Sequence, residues 1–133
     1  MALIRSPNAA FNVVDSCGWL AFFGDEVNAA FFEAALTKPD RLIVPALTLY
    51  EVGKRVLQQR GEDAALEALQ VMQKARVVQL EPTQLFEAAK AAINHQLSMG
   101  DAIIWQTAQV HAAKLYTQDA GLRHMPGVVY RAK

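Results

Sequence analysis

Four acidic side chains fall where an α/β chain gathers its chemistry: Asp15, Glu51, Asp101 and Asp119. Asp15 follows the apolar run Phe11-Asn12-Val13-Val14, and Glu51 lies just inside the helix expected after Leu42-Ile43-Val44. Asp101 opens the apolar helical stretch Ala102-Ile103-Ile104-Trp105, and Asp119 closes the strand Leu115-Tyr116-Thr117. In a parallel sheet the strand ends and the following helix starts share one edge, and ligands bind along that edge. Carboxylates converging there repel one another unless a cation neutralises them, and hard divalent cations prefer oxygen donors. The spacing therefore points to a metal site for Mg²⁺ or Mn²⁺.

Each acid also has an ordinary structural use. Asp15 can cap a helix, and Glu51 can complete a capping box opened by Thr48. Asp101 can be a first-turn acid favoured by the helix dipole, and Asp119 a turn residue before Ala120-Gly121. It is the coincidence of four such placements that favours a site. Two hydroxyls accompany them. Ser16 adjoins Asp15 and Thr117 precedes Asp119 by two residues, so each can orient a carboxylate or a metal-bound water. Helix capping by Ser16 and β-propensity at Thr117 are the competing readings.

The elements that must position these residues are legible from pattern. Phe11 to Val14 reads as a buried strand. Ser16 caps an expected helix over Cys17 to Phe23, stopped by Gly24. A second helix, roughly Asp25 to Leu36, carries Val27, Ala30, Phe31, Ala34 and Ala35 on one stripe. Arg41 to Val44 is the next strand, ended by Pro45, and the helix capped by Thr48 runs to Gly61. Glu62 to Lys74 is helical, Val77 to Leu80 extended, and Pro82 leads into a helix over Leu85 to Gln96. The helix opened by Gly100-Asp101 reaches about Ala113. Leu115 to Thr117 and Val128 to Tyr130 are the last strands, and the first ten and last three residues are expected to fray. Strands alternating with helices predict one three-layer α/β/α domain over residues 1–133 with a mainly parallel central sheet.

Composition narrows the function. With 133 residues, 53% of them hydrophobic, and mean hydropathy +0.10, the chain can bury a core and is not a disordered segment. No apolar stretch approaches membrane-span length, and Met1 to Arg5 carries no secretory signal, so a soluble cytoplasmic protein is expected. The single cysteine, Cys17, excludes an internal disulfide framework. Thirteen basic and thirteen acidic side chains cancel, so any nucleic-acid contact must be local. Lys54, Arg55 and Arg60 could bind a backbone or simply form a solvated helix face. There is no phosphate loop, dinucleotide fingerprint or serine-hydrolase elbow. His95, His111 and His124 have no zinc-ligand spacing, and Cys17 reads as a small filler rather than a nucleophile.

Val13-Val14-Asp15-Ser16, Leu49-Tyr50-Glu51-Val52, Met99-Gly100-Asp101-Ala102-Ile103-Ile104 and Tyr116-Thr117-Gln118-Asp119 occur in the order and spacing of the PIN-domain ribonucleases. Met125-Pro126-Gly127-Val128-Val129-Tyr130 resembles that family's last strand. The resemblance covers about residues 11–130, and in size the chain is most similar to VapC-type toxins of toxin–antitoxin pairs. It implies that Asp15, Glu51, Asp101 and Asp119 form an acidic pocket for Mg²⁺ or Mn²⁺, with Ser16 and Thr117 supporting it. It further implies an RNA substrate, a cognate antitoxin and a homodimer. One position departs: many relatives carry a further acid where this chain has Gly121, which puts a second metal in question.

The chemistry expected is hydrolysis of RNA phosphodiester bonds by metal-activated water, with no side-chain nucleophile. The alternatives are a housekeeping RNA- or DNA-processing nuclease, a phosphatase using the same acids, or an inactive PIN-like regulatory module. A receiver-like module is disfavoured because Asn12 and the residues after Tyr130 do not supply its acids and lysine. Phe22, Phe23, Phe31 and Phe32 form a cluster expected to mark a partner surface.

Overall fold

The computed structural model describes residues 10–133. The expectations of a frayed start and of no secretory signal concern residues 1–9, which lie outside them. Five strands, β1 (Asn12–Val14), β2 (Leu42–Pro45), β3 (Arg76–Val78), β4 (Lys114–Thr117) and β5 (Val128–Tyr130), form one sheet in the order β3-β2-β1-β4-β5. All four pairings are parallel, with Val13 opposite Ile43 on one side and Leu115 on the other. Six helices make the connections and cover the faces: α1 (Ser16–Phe23), α2 (Ala29–Leu36), α3 (Ala46–Arg60), α4 (Glu62–Met72), α5 (Pro82–His95) and α6 (Met99–Val110). The three-layer α/β/α expectation with a mainly parallel sheet is met; the sheet is parallel throughout.

Strand alternation builds the two cores. Val14, Leu42 and Val44 face Trp19, Phe32, Val52 and Met72 from α1–α4. Val13, Ile43 and Leu115 face Ala102, Ile104 and Ala108 from α6, with Leu97 and Leu122. Successive side chains on a strand point to opposite faces, so three-residue strands suffice to feed both layers. Burial of each large side chain, Phe32 or Leu115 for example, stabilises by about 1.5–3 kcal/mol.

The chain runs outward from β1 through β2 to β3, then returns to lay β4 on the other flank of β1. Strand order thus reverses between β1 and β4. At that switch point two loops leave the sheet in opposite directions and open a crevice at the strands' C-terminal ends.

Several local expectations are corrected. Asp15, not Ser16, is the N-cap of α1. The second helix starts at Ala29 rather than Asp25, and its buried residues are Phe32, Ala35 and Leu36. Val27 is 89% exposed, because it precedes the helix and escapes the helical period. Thr48 does not cap α3. Pro45 occupies the cap position, so Thr48 is carried into the first turn and buried against the core. The true capping box is at α5, where the Glu81 and Gln84 side chains answer each other's backbone. The last residues are tied rather than frayed: Arg131 N–H donates to the Thr117 carbonyl, and the Ala132 carbonyl accepts from Asn28. No described helix is long and apolar enough to cross a membrane.

Candidate active site

Asp15 leaves the end of β1 in extended geometry, and its side chain turns back as the α1 cap. Its Oδ1 accepts the Ser16 N–H at 2.8 Å, and its Oδ2 accepts the Thr117 hydroxyl at 2.8 Å. Thr117, the last residue of β4 and wholly buried, also accepts the Asp119 N–H on the same Oγ1 at 2.9 Å. One hydroxyl therefore fastens a β1 acid to the backbone of the β4 acid across the switch point. Asp119 is fixed in turn by the Gly121 N–H at 2.9 Å on its Oδ1. Asp101 enters from the opposite layer, third residue of α6, its N–H donating to the Ser98 N-cap hydroxyl at 3.3 Å.

The structure brings Asp15, Asp101 and Asp119 together, with one carboxylate oxygen from each within 4.8 Å of the others. Glu51 is not in that group. It reaches toward it from the second turn of α3, and its carboxylate lies against Gly100 beside Asp101. Ser16 contributes its backbone N–H rather than its hydroxyl.

The electrostatics express crowding. Burial raises the Asp15 carboxyl above its ordinary value even though Thr117, Ser16 and Cys17 bond to it, and Asp119 adds to the rise. Asp101 is pushed up to about 7, first by burial, then by a hydrogen bond shared with Asp119 and by the charges of Asp119 and Asp15. Burial and Asp15 raise Glu51 as well. No Lys or Arg answers them: among the described residues the ion pair is Lys90–Glu87, on the outer face of α5. An all-oxygen donor set in which Asp15 and Asp101 hold their protons more tightly than usual, with no ion-pair partner among the described residues, fits a hard divalent cation.

Other candidates fall away. Burial, then the Asp15 charge, pushes the Cys17 thiol up to about 12. It packs 3.7 Å from Thr117 Oγ1 and is no thiolate at neutral pH. His95 lies tilted against Trp105, ring centroids 6.4 Å apart, and the described metal-competent cluster contains no histidine.

Sequence reasoning missed two residues. Asn28 is buried and donates to Gln118 Oε1 at 3.0 Å and to the Ala132 carbonyl at 3.1 Å. It clamps the residue between Thr117 and Asp119 to the chain's end, and no sequence period marks a polar residue in that role. Gly100 opens a helix in the sequence pattern, which gives no sign that an ideal Cβ built there would lie 3.0 Å from Glu51 Oε2.

Fold and site together define an α/β domain with an acidic centre at its switch point. The PIN-domain profile matches residues 13–128, and the chain belongs to the PIN-domain family, a nuclease fold. Solved structures agree on the fold. A toxin–antitoxin complex from Klebsiella pneumoniae superposes with TM-score 0.74 at 21% identity, over 89% of this chain and 95% of that one. The sarcin–ricin loop cleaving toxin VapC20 of Mycobacterium tuberculosis gives 0.69 at 17%, over 81% and 89%. VapBC2 of Rickettsia felis, bound to a fragment of its promoter DNA, gives 0.71 at 11%, over 92% and 98%. No curated protein matches the sequence significantly.

Proposed function

We propose that this chain is a metal-dependent endoribonuclease, the toxin of a toxin–antitoxin pair acting in the cytoplasm. The observation that carries the reading is the set of three aspartates within 4.8 Å at the switch point, with no ion-pair partner among the described residues. Asp15, Asp101 and Asp119 would hold Mg²⁺ or Mn²⁺, with Glu51 at the rim. Bound there, such an ion supplies an activated water and positive charge opposite the scissile phosphodiester. The chain's own part is to hold the donors still. Thr117 and the Ser16 N–H orient both oxygens of Asp15, and the Gly121 N–H orients Asp119. Arg55 and Arg60, on the helix that carries Glu51, line a cleft of about 470 Å³ that also includes Cys17 and Gln118. They would meet a phosphate backbone.

The toxin role and the antitoxin partner rest on the neighbours described above, one of which is named as a sarcin–ricin loop cleaving toxin. A second copy of the chain is also proposed as a partner, but not at the phenylalanines of α1 and α2. Phe32 is buried, and Phe22, Phe23 and Phe31 pack on the core. An exposed apolar stripe lies on α5, where Phe86 (65% exposed) and Ile93 (78%) stand seven residues apart on one face.

Asp15→Asn and Asp101→Asn, each shape-conserving, test the function. Incubation with RNA, single-stranded DNA and a phosphomonoester should show Mn²⁺-dependent cleavage of RNA alone, lost in both variants. Cleavage that persists in EDTA, or equal cleavage of DNA, refutes it.

A further inference from the structure

Gly100 occupies the second position of α6, between Met99 and Asp101. Its φ is not in the left-handed region, so backbone conformation does not call for glycine there. Helix propensity argues against it, since glycine within a helix is less favourable than alanine. The reason for glycine is space: an ideal Cβ on Gly100 would stand 3.0 Å from Glu51 Oε2, 3.8 Å from Cδ and 4.0 Å from Oε1. The 3.0 Å contact is tighter than most real Cβ contacts, the other two are ordinary van der Waals distances, and all three belong to one carboxylate. Glu51 projects from α3 across the crevice, and its half-buried carboxyl already feels Asp15. Beside it, the next residue of α6 is Asp101.

We infer that Gly100 is a positioning residue: its bare Cα sets how deeply the Glu51 carboxylate reaches toward the aspartates. A methyl group there would make the carboxylate give way by a few tenths of an ångström, away from Gly100 and from its present reach toward an ion held by Asp15, Asp101 and Asp119. The metal part rests on the function proposed above; the steric part does not.

A double-mutant cycle separates the two. Gly100→Ala, Glu51→Ala and the double variant are compared by Mn²⁺ titration calorimetry and by melting of the metal-free proteins. Circular dichroism monitors folding. Glu51→Ala removes the obstructed carboxylate, so the added methyl then has room. Gly100→Ala alone should weaken Mn²⁺ binding by about 10–100-fold, the range seen when support of a ligand is lost. It should add nothing to the loss caused by Glu51→Ala. In metal-free melts it should raise Tm in the Glu51→Ala background, where only helix propensity acts, and raise it less or lower it in the parent. Wild-type Mn²⁺ affinity in Gly100→Ala, or a loss additive to that of Glu51→Ala, overturns the inference. Should Glu51→Ala itself bind Mn²⁺ normally, the ligand role of Glu51 fails. The melting cycle still decides the steric claim: equal Tm gains in both backgrounds would refute it.

Discussion

Thr117→Val tests whether one hydroxyl couples the two halves of the centre. Valine matches threonine in shape, so the change removes hydrogen bonds with little cavity. Three are lost: the 2.8 Å donation to Asp15 Oδ2, the 2.9 Å acceptance from Asp119 N–H and the weak 3.7 Å bond with Cys17 Sγ. A hydrogen bond to a charged group contributes about 1.5–3 kcal/mol and a neutral one about 1 kcal/mol. With Thr117 fully buried, water cannot replace any of these partners, so the expected loss is about 2–4 kcal/mol in urea unfolding of the metal-free protein at pH 8. The loss should shrink at low pH. Asp15 already has a raised folded value, and removing the donor raises it further. A group raised on folding contributes stability that is complete below its unfolded value and lost as pH rises through the folded one. The variant should therefore lie closest to wild type near pH 4, where the lost Asp119 N–H bond still costs about 1 kcal/mol, and diverge from it as pH increases. Mn²⁺ affinity should fall by about 10–100-fold, and Thr117→Ser should restore most of both losses. A valine variant within about 0.5 kcal/mol of wild type at pH 8, with unchanged Mn²⁺ affinity, would refute the reasoning.

Asp101 predicts a pH dependence of the opposite sense to ordinary acid unfolding. Its carboxyl stands at about 7 against 3.8 when free, so its contribution is full below about 4 and lost as pH rises through 7. Metal-free protein in EDTA should thus lose that contribution in melts between about pH 4 and pH 7, Asp101→Asn should flatten the change, and saturating Mn²⁺ should abolish it; a dependence identical in Asp101→Asn would rule this out. Gly121→Asp should restore a carboxylate at a position whose Cβ would lie 3.2 Å from Asp119 Oδ1 and 3.6 Å from Asp101 Oδ2. It should lower metal-free Tm and enlarge the Mn²⁺-induced rise, and Mg²⁺, more demanding of a full octahedral set, should gain more than Mn²⁺; an unchanged metal-induced shift in a folded variant would mean the present donors complete the site. Phe86→Asp with Ile93→Asp should convert a dimer to a monomer in light scattering with little change in Tm, and an unaltered mass would exclude that face.

Much of the fold was legible because parallel α/β chains write it in two periods. Short β-branched runs such as Val13-Val14 and Ile43-Val44 read as buried strands. The spacing of Ala65, Leu66, Leu69 and Met72 reads as helical, and α4 buries Ala65 and Met72 while Leu66 is exposed. Errors gathered where local signals compete. Thr48 three residues before Glu51 imitates a capping box, yet Pro45, held in β2 by pairing with Val78, starts the helix earlier. Val27 imitates the stripe of α2 but lies in the turn before it.

For the site, residue type and element position were enough to nominate Asp15, Asp101 and Asp119, because carboxylates at strand ends and helix starts are local features of the chain. Their approach to within 4.8 Å was decided by tertiary structure, which lays β4 beside β1 and brings α6 over from the other layer. The same packing sets Glu51 at the rim against Gly100 and locks Thr117 to Asp15 across 102 residues of sequence. Side-chain chemistry is carried by each residue alone, whereas distance, desolvation and the raised proton affinity of a carboxylate arise only when separate segments share one small volume.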